Sequence, residues 1–148
     1  MIYEERIADL FTVGDDYTLA HCISADFALG AGIAVQMNKH YDMKDRLKTM
    51  YPNYMKEWNK KRKSYDCIYL QGVLNLVTKT RCFEKPTYDS LRGALTEAQK
   101  VCAAYKIKKL AMPKIGCGLD RLEWDLVRRI IKDVFYDTDI EIVVCSLK

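Results

Sequence analysis

The chain has 148 residues, 49% hydrophobic and 30% charged, the size and composition of one globular domain able to bury its own core. Its net charge of +4 falls short of an overwhelmingly basic nucleic-acid binder, yet favours an anionic ligand through long-range steering. The apolar runs are too short to cross a bilayer and the start Met-Ile-Tyr-Glu-Glu-Arg is not a secretion signal, so no membrane partner and a cytoplasmic location are expected.

Ile2 to Phe11 opens the chain with alternating character and reads as a strand carrying the carboxylate of Asp9 near its end. Gly14-Asp15-Asp16 is a turn. Tyr17 to Ile23 is a continuous apolar run, as in a strand buried on both faces, and it points through Ser24 at the loop Leu29-Gly30-Ala31-Gly32-Ile33-Ala34. The spacing of Ile33, Met37 and Tyr41 predicts a short helix, and Met43 to Trp58 a looser one broken at Pro52. Lys56 to Lys63 is the most basic tract; it reads as a solvated loop, with a nucleic-acid contact as the alternative.

Cys67 to Gly72 and Val73 to Thr78 read as two strands or one bent hairpin. Lys85-Pro86-Thr87-Tyr88 starts a helix, with Thr87 as its cap and a clear apolar stripe from Leu91 to Tyr105. Lys109 to Met112 is a short buried strand, Leu122 to Tyr136 a second strong helix, and Ile140 to Leu147 a closing β-branched strand. Strands alternating with helices predict a sheet covered on both faces, with ligand beyond the strand ends.

The stretch Ala111 to Trp124 runs from a strand end through a turn holding Gly116 and Gly118 into a helix. A helix start presents unpaired N–H groups with partial positive charge, and glycines let a ligand come close to them. Together with the Gly30–Gly32 loop, this suggests a ligand with two phosphates. Asp120, followed by Glu123, has the look of a helix cap; a carboxylate at a phosphate-binding turn is also unwelcome enough to suggest a base facing the ligand's sugar. Lys79 reads as a lysine reaching solvent or phosphate, or as a nucleophilic amine beside Arg81. Asp9 and Ser24 have local turn and capping roles as alternatives. The six cysteines stand singly with no C-x-x-C pair, and neither histidine has a metal-ligand spacing, so reduced thiols and no metal or cofactor are expected.

Taken together, Ala8 to Phe11, His21-Cys22-Ile23-Ser24, Gly30 to Val35, Thr78-Lys79, Lys85 to Tyr88 and Met112 to Trp124 resemble a macro domain of the terminal ADP-ribose protein glycohydrolase branch. The resemblance covers nearly the whole chain. It implies one macro domain over 1–148, an α/β fold of three α/β/α layers with a mixed central sheet, binding ADP-ribose. On matching positions, Asp9 would hold the adenine amino group with Leu10 beside the base. Ser24 and Gly30, Ala31, Gly32, Ile33 and Ala34 would line the phosphates and distal ribose. Lys114, Ile115, Gly116, Cys117, Gly118, Leu119 and Asp120 would wrap the diphosphate, and Leu147 would lie near the adenosine. Lys79 takes the place of the family's nucleophile and Asp120 that of its general base.

The implied reaction releases mono-ADP-ribose from acidic side chains, held there as an ester, and extends to O-acyl-ADP-ribose. Commoner macro domains carry asparagines where this chain has His21 to Ser24, which argues against their water-activation chemistry. Alternatives are release of ADP-ribose from a DNA base, for which the Lys56 to Lys63 tract would be the contact, and a module that binds ADP-ribose without cleaving it. A monomer acting on ADP-ribosylated protein is expected. Three features depart from the family pattern: Ala8 for a glycine, Lys114 for an arginine, and the Tyr51 to Lys63 segment.

Overall fold

In the computed structural model, which describes residues 1–147, six strands form one mixed sheet in the order β1-β6-β5-β2-β4-β3. The strands are β1 (Ile2–Ile7), β2 (Thr18–Ser24), β3 (Asp66–Leu70), β4 (Val73–Lys79), β5 (Lys109–Met112) and β6 (Glu141–Ser146). All neighbours pair in parallel except β3 and β4, which form an antiparallel hairpin. Its turn, Gln71-Gly72, has positive φ at both residues, the geometry that keeps a two-residue turn in step with strand twist.

Helices α1 (Ile33–Tyr41), α2 (Met43–Met50) and α3 (Tyr54–Lys60) cover one face through Met37, Met43, Leu47 and Trp58, all fully or nearly fully buried. Helices α4 (Tyr88–Tyr105) and α5 (Trp124–Phe135) cover the other through Leu91, Leu95, Ile131 and Phe135. The result is a three-layer α/β/α fold with the sheet as its middle layer. No helix among the described residues is long and apolar enough to cross a membrane.

Three local expectations are corrected. The first strand stops at Ile7 rather than running to Phe11, because the Asp9 carboxylate accepts from the Phe11 amide and turns the chain into a 3-10 turn at Leu10–Thr12. The Lys56 to Lys63 tract is mostly helical rather than loop, since the Trp58 indole inside it is core and its Nε1 donates to Thr80 Oγ1 at 2.9 Å. Helix α5 begins at Trp124 rather than Leu122, because the Leu122 amide is taken by the Gly116 carbonyl at 2.8 Å. Elsewhere the bounds agree within a residue or two, and the Thr87 cap forms with Ser90 as a reciprocal capping box.

Candidate functional site

Because β1, β6, β5, β2 and β4 run in parallel, their C-terminal ends share one edge of the sheet, the edge at which open α/β sheets take ligands. There a cleft of about 490 Å³ opens between the loops after β2, β4 and β5. Its lining brings together Ser24, Gly30, Ala31, Gly32, Ile33, Ala34, Lys79, Lys114, Ile115, Gly116, Gly118, Leu119 and Asp120. Asp9, Leu10, Cys117 and Leu147 are not in that lining. Leu10 is core, only 3% exposed, so it offers little open surface to a base, whereas Leu147 is 76% exposed. Asp9 caps its own turn through Oδ1.

The two glycine loops differ in how they could hold an anion. Helix α1 starts at Ile33 on Gly32, whose φ of +61° and ψ of −141° suit only glycine, and Gly32, Ile33 and Ala34 all line the cleft. That loop therefore presents a helix N-terminus. The second does not: the lining ends at Asp120, short of the α5 start at Trp124, so the dipole of α5 is not what this turn offers. It offers backbone instead. Gly116 sits at φ +74°, and the amides of Gly116, Gly118, Leu119 and Asp120 have no protein acceptor among the described residues, a small concave set of donors. Three lysines, Lys79, Lys85 and Lys114, stand in the lining against one carboxylate, Asp120.

Lys79 ends β4 opposite Ser24. A register shift between Ile23 and Ser24 makes this pairing, skipping Thr78 and bringing Lys79 to the end of the ladder. Its ammonium Nζ donates to Asp120 Oδ1 at 2.7 Å, and the two side chains are 14% and 17% exposed. This pairing excludes the capping role for Asp120: Glu123 is the α5 cap residue, and no side-chain cap bond is made there. Beside the pair lies Cys22, whose thiol is pushed up to about 12 by burial and then by the Asp120 charge, with Lys79 opposing. Burial also raises the Cys117 thiol. Both thiols are therefore protonated and weakly nucleophilic near neutral pH.

Asp26 organises the wall next to Lys79. Its Oδ1 accepts from Ser24 Oγ at 2.5 Å and from the Ala28 amide at 3.2 Å, and its Oδ2 from the Cys82 amide at 2.9 Å. Burial opposes its charge, but these bonds outweigh it and hold the carboxyl below its usual range. Ser24 thus spends its proton on Asp26 rather than on a backbone cap. The sequence reading missed Asp26 and Phe83, which stand in no recognisable motif; Cys22, Lys85 and Pro113 were within quoted motifs and could have been singled out. Among the described residues, no three His, Cys, Asp or Glu side chains gather into a metal-binding group.

No protein-family model matches the chain. Among curated proteins it is similar to the ADP-ribose glycohydrolase OARD1 of Bos taurus, at 39% identity over 143 residues that cover 94% of this chain and 88% of that one. Among solved structures it superposes on the macrodomain of Mycobacterium tuberculosis DarG with a TM-score of 0.75, at 20% identity and 97% coverage of both chains. It also superposes on Thermosipho africanus DarTG in complex with ADP-ribose, with a TM-score of 0.71 at 17% identity, covering 97% of this chain and 41% of that one.

Proposed function

The chain belongs to the macro-domain family, in the terminal ADP-ribose protein glycohydrolase branch, and from that premise we propose that residues 1–148 form one ADP-ribosyl hydrolase domain. Its substrate is mono-ADP-ribose held as an ester between the distal ribose and an acidic protein side chain, with O-acyl-ADP-ribose as a smaller relative. The observation that carries this reading is the 2.7 Å contact of Lys79 Nζ with Asp120 Oδ1 on the cleft lining. An amine and an acid from distant parts of the chain meet where a sugar carbon can approach both.

One proton moved along that contact leaves a neutral amine on Lys79 and a neutral acid on Asp120. The Lys79 nitrogen attacks the anomeric carbon, the bond from that carbon to the ester oxygen breaks, and the protein's carboxylate departs with the bonding pair. The nitrogen passes one proton to the departing carboxylate, and Asp120 passes its own to the ring oxygen as the ribose ring opens to a protonated imine, so that Asp120 is again a carboxylate. Asp120, as carboxylate, next accepts a proton from water as the water adds to the same carbon. Breaking the carbon–nitrogen bond returns the Lys79 amine and free ADP-ribose. The protonated thiol of Cys22, which lines the cleft beside the pair, leaves the amine as the better nucleophile there. The free amides of the 116–120 turn and the start of α1 would hold the diphosphate.

A second reading, release of ADP-ribose from a DNA base, is favoured by the exposed Lys56, Lys60, Lys61 and Arg62 on and after α3, whose Trp58 is bonded to Thr80 beside Lys79. The test is release of free ADP-ribose from glutamate-ester, serine-linked and DNA-linked conjugates by wild type, Lys79→Ala and Asp120→Ala. Wild type is expected to act on the ester, and Lys79→Ala to lose about 100-fold or more while ADP-ribose still stabilises it. Undiminished turnover by Lys79→Ala ends the nucleophile role. Binding without release by wild type makes the chain a reader rather than an eraser.

A further inference from the structure

The start of α4 reaches the backbone on both sides of Asp120 and on the near side of Lys79. Lys85 Nζ donates to the carbonyl oxygen of Leu119, the residue before Asp120, at 2.6 Å. The Tyr88 hydroxyl accepts from the amide of Glu123, three residues after Asp120, at 3.0 Å. Ser90, held in the capping box with Thr87, donates its Oγ to the carbonyl of Thr78, the residue before Lys79, at 2.7 Å. Between Lys85 and Tyr88, Pro86 is buried and has no rotational freedom about φ, so the contacts on its two sides are mechanically joined.

We propose that Lys85 and Tyr88 are positioning residues that hold Asp120 against Lys79, a role that rests on the hydrolase reading above. The Asp120 turn has little else to fix it. Leu119 is 68% exposed, and Arg121 sits at φ +63°, a left-handed conformation that a β-carbon disfavours. Among the described residues, the turn's backbone is tied by the Cys117 amide to the Lys114 carbonyl, the Arg121 amide to the Gly118 carbonyl and the Leu122 amide to the Gly116 carbonyl, none of which involves Asp120 itself. The Lys85 and Tyr88 bonds bracket Asp120 from outside, and the Ser90 bond anchors the same helix start to β4 next to Lys79. One rigid segment therefore sets the separation of acid and amine, and shifting either by about 1 Å is enough to slow a reaction strongly.

The experiment uses Tyr88→Phe, which keeps the ring and removes the accepting oxygen, with Lys85→Met and Lys85→Arg. Turnover of ester-linked ADP-ribose, the Kd for ADP-ribose and Tm are measured on each. Tyr88→Phe and Lys85→Met are expected to lower kcat about tenfold each, with Kd within about twofold of wild type, and Lys85→Arg to recover most of kcat. Ala98→Gly, which loosens α4 away from the site, is expected to lower Tm without this loss of kcat. A separate readout does not depend on turnover: labelling of Lys79 by an amine-reactive ester, read by mass spectrometry, should rise several-fold once Asp120 no longer holds the ammonium. Unchanged kcat and labelling overturn the proposal, as does a weaker Kd at unchanged kcat, which would make Lys85 a ligand contact. An equal loss of kcat in Ala98→Gly overturns it as well. A wild type that releases no ADP-ribose defeats the hydrolase reading instead, and the labelling then still decides the clamp.

Discussion

His21 is fully buried in β2, facing the layer of α1 to α3, with Nε2 2.6 Å from Asn75 Oδ1. The Asn75 amide nitrogen already donates to the Ile68 carbonyl at 3.1 Å, which leaves Oδ1 as acceptor and assigns the imidazole proton to Nε2. Nδ1 then has no partner among the described residues, so a second proton there would be a buried charge without an acceptor. Burial accordingly pulls the His21 pKa from 6.5 to about 4, against the Asn75 bond. The unfolded chain binds the proton first, so stability is fully present above pH 6.5 and is lost as pH falls toward 4, by about 3 kcal/mol. His21→Gln keeps a donor for Asn75 and does not titrate. The difference in unfolding free energy between wild type and His21→Gln should therefore swing by about 3 kcal/mol from pH 7 to pH 4, and a flat difference would refute the buried neutral ring. At this scale the sequence was legible only where a motif spoke. Lys79 and Asp120 each had an ordinary local explanation, and what removes it is a contact across 41 positions, which no local spacing encodes. Asp26 was illegible for the same reason: its partner Cys82 lies 56 positions away.

The helices with strong apolar stripes and the β-branched strands could be read from periodicity, because burial on one face is a local pattern. What periodicity could not supply was the path between Met112 and Trp124, where the chain follows hydrogen bonds rather than burial. Two glycines of that turn look alike in sequence and are different in the structure. At Gly116 an added Cβ would lie 2.9 Å from Leu122 Cδ1 on a backbone with φ +74°, whereas at Gly118 it would meet no protein atom within 4 Å. Gly116→Ala should therefore destabilise the fold by about 1–2 kcal/mol, lowering Tm by about 2–4 °C for each, and weaken ADP-ribose binding as the turn shifts. Gly118→Ala should leave Tm unchanged and weaken binding alone, because its methyl group takes up cleft space. Melting curves and calorimetric titration separate the two, and equal stability loss in both would mean that the turn is held by something other than the Gly116 backbone.

Across the whole molecule, the sheet order brings the end of β1, with Asp9 just beyond it, and the end of β4, with Lys79, onto one edge, with β6, β5 and β2 between them. Four strand spacings make that row about 19 Å long, suited to an extended dinucleotide rather than to a mononucleotide. The cleft of about 490 Å³ occupies the β2–β4–β5 portion of the row, so the adenosine end would lie on the more open surface near Asp9. A ligand spanning the row binds only the folded state, in which strands far apart in sequence are aligned. At a concentration 100 times its Kd, ADP-ribose should stabilise the protein by about 2.7 kcal/mol and raise Tm by roughly 5–11 °C. AMP and ribose 5-phosphate, added together at the same concentration, should raise Tm much less, since each half gives up the benefit of being tethered to the other. If ADP alone matches ADP-ribose, the distal ribose contributes nothing, and the Lys79–Asp120 end of the row does not engage the ligand.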